Sequence, residues 1–155
     1  MFEIIKSIFP KEFYRNTAYW RAFTVAGVMI ALVVIQLFTF ENYPGLIGNF
    51  QLPGGIVVAW ILAILIPFLE IASLPYLLSM KIPVRIRLAS RWAVLATGAA
   101  WILISLWVVI RMGTSVESGI FGATLATESG WWMVVFSGLL FWSGWLVRRE
   151  LPARK

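Results

Sequence analysis

The chain contains no cysteine, no histidine and no aspartate among its 155 residues. The absence of cysteine excludes disulfides, thiol redox chemistry and thiolate metal sites, and the absence of histidine excludes histidine-ligated haem. Acid–base chemistry is left to seven glutamates and to the lysines and tyrosines. Because these residue types show no nucleophile–base pair and no set of metal ligands, the sequence predicts a protein that is not an enzyme.

Charged residues are scarce as well. They make up 13% of the chain, whereas 61% of the residues are hydrophobic, and soluble domains average about 25% charged residues. The composition therefore predicts an integral membrane protein. The net charge is +6, but the basic residues flank apolar segments, where they meet anionic lipid headgroups. We accordingly expect membrane lipids as partners and no nucleic acid.

Four apolar segments are long enough to cross a bilayer as helices, and no internal repeat relates them. No cleavage site follows the first segment, so we interpret it as a retained span and not as a signal peptide. Short connections favour antiparallel neighbours, which predicts an all-α membrane protein built as an up-down bundle of four transmembrane helices. The predicted spans cover about residues 22–40, 55–79, 92–110 and 131–147.

The segments outside these spans are short. Residues 1–19 place apolar side chains at steps of three and four with basic residues between them, which predicts an amphipathic helix lying in the membrane interface. A disordered tail is the alternative for this segment. Residues 148–155 form a basic tail. Three loops complete the chain, at 41–53, 81–91 and 111–130.

The distribution of lysine and arginine predicts the orientation. Residues 1–21, 81–91 and 148–155 hold four each, 41–53 holds none and 111–130 holds one, so alternate compartments contain twelve against one. Short loops follow the positive-inside bias. We therefore predict a multi-pass protein of the cell (inner) membrane with its N-terminus and C-terminus both cytoplasmic.

Glu70 is the one acidic residue inside a predicted span. An ionised carboxylate at that depth costs roughly 3 kcal/mol on insertion scales, and such acids are functional by default. Glu70 shares a helix face with Ala59, Ala63 and Pro67, which favours an inward orientation. In one interpretation it is a neutral acid that donates a hydrogen bond within a proline-kinked helix. Its partner is then a carbonyl freed by the prolines, at Ala63 or Ile71, or the hydroxyl of Ser73, Thr97 or Ser143. In the other it is a proton-binding or ligand-orienting group, with Pro67 and Ser73 beside it.

Three further polar residues lie toward the outer side. Gln36 and Ser105 are expected to face one another, to line a cavity mouth, or to hold helices together. Arg111 is the single positive charge on that side. It is expected to reach the headgroups, to pair with Glu117 or Glu128, or to bind an anionic group.

Two short segments resemble the MauE/DoxX group of four-helix bacterial membrane proteins. The second span reads LIPFLEIASLPYLL, and Pro67 and Glu70 match that group's proline-x-x-glutamate element. The outer loop contains ESGIFGATL, which is similar to a Cys-Gly-Cys-Phe-Gly-type segment before the fourth span. Gly119, Phe121 and Gly122 match it, whereas Ser118 and Ile120 stand where the cysteines would be. The glycines also have a simple interpretation, as turn residues that permit positive φ.

The resemblance implies an accessory subunit of a membrane redox system, without a thiol role because the cysteines are missing. The residues themselves predict no cofactor. The resemblance implies a quinone as the possible bound cofactor. The first hypothesis is therefore a non-catalytic accessory or quinone/lipid-binding component, with a membrane protein or a second copy of the chain as partner. The alternative is a small proton-coupled transporter that uses Glu70. Candidate residues are Glu70, Pro67 and Ser73 in the membrane, and Arg111, Ser118, Gly119, Phe121 and Gly122 in the outer loop.

Overall fold

The computed structural model describes residues 17–123 and 127–151, and within them it is all-α, as predicted. The described part of the chain contains no β-strand, and a single isolated bridge joins Glu117 to Glu128. The five helices are α1 (Thr17–Phe38), α2 (Tyr43–Gly48), α3 (Gly55–Leu77), α4 (Val84–Met112) and α5 (Trp131–Glu150).

Three of these helices, α1, α3 and α4, are long and apolar enough to cross a membrane, with 22, 23 and 29 residues. This finding makes the chain a multi-pass membrane protein by helix length and composition. The helix α5 has 20 residues but does not meet the same criterion. Its four tryptophans and its two arginines, Arg148 and Arg149, lower its mean hydropathy.

The outer surface of the bundle is apolar, as a lipid-facing surface must be. Phe38, Leu103 and Ile110 are 83%, 69% and 73% exposed, and exposed leucine, isoleucine and valine side chains continue along the long helices. A soluble protein rarely exposes apolar patches of this extent. The polar residues of the long helices, by contrast, are concentrated inside, where Gln36 and Glu70 are fully buried.

The four long helices form a ring in which α3 packs against α1 and α4, and α5 packs against α4 and α1. Contacts at one end show that consecutive long helices are antiparallel. Arg21 at the start of α1 pairs with Glu150 at the end of α5. The Tyr76 hydroxyl near the end of α3 donates to the Leu151 carbonyl over 3.2 Å, and Arg91 near the start of α4 donates to the Arg148 carbonyl over 3.1 Å.

We call this end, with Arg21, Arg87, Arg91 and Arg148, the basic end. The opposite end holds residues 39–54, 113–123 and 127–130, and we call it the loop end. The short helix α2 lies there and packs against α3. The indole nitrogen of Trp107 donates to the Phe50 carbonyl over 3.0 Å and ties α4 to the segment that follows α2.

Several predicted boundaries were wrong. The segment 81–91, predicted to be a loop, becomes helical at Val84, directly after Pro83 at the N-cap position. No glycine or proline follows before residue 91 to interrupt the helix. The predicted loop 41–53 contains α2, which has Pro44 in its first turn.

Other predictions lie partly outside the described residues. Helix α1 begins at Thr17, so residues 17–19 of the predicted interfacial helix belong to it, and residues 1–16 lie outside the description. Helix α5 continues to Glu150, so the predicted basic tail loses its first three residues, and residues 152–155 also lie outside.

Candidate functional site

Glu70 occupies the interior of the helix ring. It is 0% exposed, and Ala59, Ala63 and Pro67 are buried on the same face of α3. The small side chains allow α1 and α4 to approach this face closely, so the carboxyl group meets both neighbouring helices. The predicted inward orientation of Glu70 is confirmed.

Two neutral donors from different helices bind the same carboxyl oxygen. The amide nitrogen Nε2 of Gln36 in α1 lies 3.3 Å from Glu70 Oε1, and the indole nitrogen Nε1 of Trp101 in α4 lies 3.2 Å from it. Among the described residues the one ion pair is that of Arg21 with Glu150, so no described cation pairs with Glu70. The carboxyl group therefore joins three helices through neutral hydrogen bonds.

Two of the three hydroxyl partners expected for Glu70, those of Ser73 and Thr97, are engaged elsewhere. Ser73 Oγ donates to the backbone carbonyl of Glu70 over 2.6 Å, and Thr97 Oγ1 donates to the Ala93 carbonyl over 2.9 Å. Both hydroxyls satisfy carbonyls three or four residues earlier in their own helix, which is a common local alternative for serine and threonine. Ser73 therefore lies next to Glu70 but does not contact its carboxyl group.

Of the three roles expected for Gln36 and Ser105, facing one another is wrong, and holding helices together is confirmed. Ser105 Oγ lies 3.0 Å from Ser137 Oγ and joins α4 to α5, whereas Gln36 turns toward Glu70. One sequence signal did point to the actual partners. Gln36 and Trp101 both carry N–H groups deep in apolar helices, and buried groups of this kind require an acceptor.

Three oxygen atoms around Glu70 are buried without a hydrogen-bond partner among the described residues: Glu70 Oε2, Gln36 Oε1 and the Tyr43 hydroxyl. Tyr43 belongs to α2 and is 0% exposed. Burial and, to a lesser degree, the negative charge of Glu70 raise the pKa of Tyr43 well above its ordinary value, so its hydroxyl stays protonated at neutral pH. The site thus has unused capacity to bind a proton or a small polar group.

The outer loop is attached directly to this centre. Gln36 Nε2 donates to the Ile120 carbonyl over 3.1 Å as well as to Glu70, so one amide group joins the carboxyl to the loop before α5. Ile120 is itself 0% exposed. The two regions predicted separately, around Glu70 and around residues 118–122, are therefore parts of one connected structure.

Gly119 and Gly122 form the turn that brings Ile120 to Gln36. Their φ angles are +66° and +59°, and the Gly122 amide donates to the Gly119 carbonyl over 3.1 Å. The prediction that these glycines permit positive φ is confirmed. A side chain at Gly122 would also meet the end of α1, since an added Cβ would lie 2.7 Å from Thr39 Oγ1 and 3.0 Å from the Ile35 carbonyl oxygen.

Ser118 and Phe121 hold the rest of the loop. Ser118 is 0% exposed, its Oγ lies 2.6 Å from Thr127 Oγ1, and its amide donates to the Thr127 carbonyl over 2.7 Å. The Phe121 ring stacks on Trp132 of α5 with centroids 6.1 Å apart and planes 4° apart. These contacts give both residues a structural role in closing the bundle.

Arg111 does not join the other loop residues. Its guanidinium lies 5.1 Å from the centroid of the Trp107 ring on the same helix, an arrangement typical of a cation–π contact. Glu117 and Glu128 are both exposed, and no ion pair forms between Arg111 and either of them. The predicted pairing is therefore absent.

Replacing Gly122 by alanine is expected to loosen the outer loop. Alanine is strained at a φ of +59°, and its Cβ would press on α1 next to Gln36. We expect faster proteolysis within residues 113–130 and a loss of stability of about 1–3 kcal/mol. Gly113 is the matched control, because it has a φ of +61° but open space around an added Cβ. Equal effects of Gly122→Ala and Gly113→Ala would show that the contact with α1 is unimportant.

The fold and the site define a multi-pass, all-α membrane protein with a carboxyl group bound at the centre of its helices. No family model matches the chain, and neither a curated protein nor a solved structure is significantly similar to it. The resemblance to the MauE/DoxX group therefore stays a prediction. Within residues 17–123 and 127–151, no group of three or more histidine, cysteine, aspartate or glutamate residues could hold a metal ion.

Proposed function

We propose that the chain crosses a bacterial inner membrane four times and serves as a non-catalytic, quinone-binding accessory component of a membrane redox system. The observation that carries this proposal is the cluster of hydrogen-bonding groups around Glu70. The redox setting rests on the resemblance of its Pro67–Glu70 element to the MauE/DoxX group. The membrane arrangement and the ligand chemistry are argued separately below.

The position of α5 supports a fourth crossing. Its last residues contact the start of α1 and the end of α3, through Arg21–Glu150 and Tyr76–Leu151. At the loop end, Ser129 just before α5 donates to the Gly113 carbonyl just after α4 over 2.6 Å. Helix α5 therefore runs the length of its neighbours, and its tryptophans suit the membrane interfaces.

The charges support a cytoplasmic basic end. Arg21, Arg87, Arg91 and Arg148 lie at that end, whereas Arg111 is the one described cation at the loop end. Positive residues in short loops stay in the cytoplasm. With four crossings, the N-terminus and the C-terminus both lie on the cytoplasmic side, and α2 and residues 113–130 lie outside.

The chemistry around Glu70 suits the carbonyl oxygens of a quinone ring. Gln36 Nε2, Trp101 Nε1 and the Tyr43 hydroxyl are neutral donors on three different helices. The first two donate to Glu70 Oε1, so a quinone carbonyl would replace Glu70 as their acceptor, whereas the buried Tyr43 hydroxyl has no partner. A quinone presents two carbonyl acceptors and takes up protons when it is reduced. Glu70 is a proton-exchanging group at the right place for this uptake.

The test is purification of the complete protein in mild detergent, followed by solvent extraction and mass spectrometry of bound quinones and protein partners. We expect a quinone in a fixed ratio to the protein, and its loss in Glu70→Gln without loss of folding. Glu128→Gln is the matched control, since Glu128 is exposed in the outer loop. If neither a quinone nor a partner protein co-purifies with the parent protein, the accessory role is wrong.

A second function is a small proton-coupled transporter. The observation that favours it is that Glu70 Oε2 in α3 and the Tyr43 hydroxyl in α2 at the loop end are both buried without a hydrogen-bond partner. An intramembrane acid without a cationic partner is suited to cycle between protonated and ionised states. Uptake into proteoliposomes that follows a pH gradient and vanishes in Glu70→Gln would select this function over the accessory role.

A further inference from the structure

The basic end contains a cluster of arginines that the Glu70 centre does not use. Arg87, Arg91 and Arg148 each act electrostatically on the Tyr76 hydroxyl, and the bonds Tyr76–Leu151 and Arg91–Arg148 show that the end of α3, the start of α4 and the end of α5 meet here. Arg87 is only 7% exposed, and Arg91 and Arg148 are half-buried. Like charges at one end of a bundle repel one another, and a bound anion would offset that repulsion.

Within the described part of the chain, no carboxylate balances these charges. The ion pair Arg21–Glu150 is the one that forms there, and it involves none of the three. The Nε atoms of Arg87 and Arg91 are buried and lack a hydrogen-bond partner. Buried charges are normally paired, and leaving a guanidinium N–H unsatisfied is costly. The cluster therefore has both the charge and the free donors to bind an anion.

An apolar groove of about 860 Å³ lies next to this cluster, between α3 and α4 on the lipid-facing surface. Small side chains along α4 leave the space open, since Ala89, Ala93 and Ala96 line it opposite Phe68 and Ala72. Trp92 lines the groove at the side where the arginine cluster lies. The Arg148 guanidinium lies 3.9 Å from the centroid of the Trp92 ring.

We propose that the basic end binds one anionic phospholipid, with its phosphate held by Arg87, Arg91 and Arg148 and one acyl chain lying in the groove. Arginine binds phosphate oxygens through several parallel N–H groups, which suits the free Nε atoms here. Basic pockets between membrane helices on the cytoplasmic side are known to bind anionic headgroups. The apolar groove beside the cluster favours a lipid over free phosphate. This site is independent of the Glu70 centre and of the quinone proposed there.

The test uses the complete protein in neutral detergent, with its unfolding temperature measured during titration with lipid in mixed micelles. Dioleoyl phosphatidylglycerol is expected to raise the unfolding temperature, whereas dioleoyl phosphatidylcholine and inorganic phosphate are expected to have little effect. Arg87→Gln combined with Arg91→Gln should weaken the response to phosphatidylglycerol by about tenfold or more. Arg111→Gln, which removes the cation at the loop end, should leave the response unchanged.

A second variant tests the proposal independently if the double arginine variant does not fold. Ala96→Phe fills the groove from an exposed position and leaves every charge in place. It should weaken the response to phosphatidylglycerol but not to a short-chain analogue with the same headgroup. The proposal is overturned if phosphatidylcholine stabilises as well as phosphatidylglycerol, if inorganic phosphate gives the whole effect, or if Ala96→Phe responds like the parent.

Discussion

Replacing Glu70 by leucine is expected to lower the unfolding temperature in mild detergent by on the order of 5–15 °C. Leucine has nearly the volume of glutamate but offers no acceptor. The N–H groups of Gln36 and Trp101 would then be left unsatisfied in the bundle interior, at a cost of about 1–3 kcal/mol each. The nine tryptophans of the chain allow the transition to be followed by intrinsic fluorescence.

Glu70→Gln is the matched control for this experiment, because its amide oxygen can still accept from Gln36 and Trp101. Its amide N–H₂ group would replace Oε2 and could donate to Gln36 Oε1, which is unpartnered in the parent. We therefore expect Glu70→Gln to be at least as stable as the parent while it loses any proton-linked or ligand-linked activity. A fully active Glu70→Gln protein would make Glu70 a purely structural residue. A Glu70→Leu protein as stable as the parent would disprove its central place in the bundle.

Gly98→Ala is expected to separate α4 from α5. An added Cβ at residue 98 would lie 2.7 Å from the Cα and 3.0 Å from the backbone nitrogen of Phe141. Backbone atoms of a packed helix cannot rotate away as a side chain can, so the two helices must move apart along their contact. Overpacking of this kind costs about 1–3 kcal/mol, and Gly98→Val should cost more.

Gly138→Ala is the control for the α4–α5 contact. Gly138 lies in α5, and an added Cβ there has no atom within 4 Å. We expect Gly138→Ala to keep the parent's unfolding temperature and elution profile, whereas Gly98→Ala lowers the first and broadens the second. A Gly98→Ala protein indistinguishable from Gly138→Ala would contradict the close approach of the two helices.

The sequence predicted the long helices well because a helix that crosses lipid needs a long apolar segment, and such a segment is visible in the sequence. Each predicted span lies within or almost within a helix. The first and the second each run two residues past their helix ends, at Phe38 and Leu77. The spacing of Ala59, Ala63 and Pro67 with Glu70 was also sufficient to predict which face of α3 points inward. These features depend on one helix at a time, and the periodicity of a single helix is visible in a single sequence.

The hydrogen-bond partners of Glu70 were missed for a different reason. They depend on the rotation of α1 and α4 about their own axes and on which helices become neighbours in the ring. Gln36 and Trp101 lie 34 and 31 residues away from Glu70, and Ile120, whose carbonyl accepts from Gln36, lies 50 residues away. No local pattern encodes their meeting. The hydroxyls of Ser73 and Thr97 were reasonable candidates by depth, but carbonyls in their own helices bind them first.

The short helix α2 was not predicted, because its segment is rich in glycine and proline. Glycine and proline in the segment 41–53 predict turns, but Pro44 in the first turn of α2 needs no amide hydrogen and favours helix initiation. The position of α2 matters for the site, because it buries the Tyr43 hydroxyl where Glu70 acts on it electrostatically. Together, α2 and the Gly119–Gly122 turn close the loop end above the carboxyl group.

The most direct test of the four-crossing bundle is labelling of single cysteines, for which the natural absence of cysteine is ideal. Cysteine would be introduced at Ser115 in the outer loop, at Val84 at the start of α4, or after Lys155. A membrane-impermeant maleimide should label the Ser115 variant in intact cells and the other two only after the cells are permeabilised. Labelling of Val84→Cys or of the added C-terminal cysteine in intact cells would contradict the arrangement.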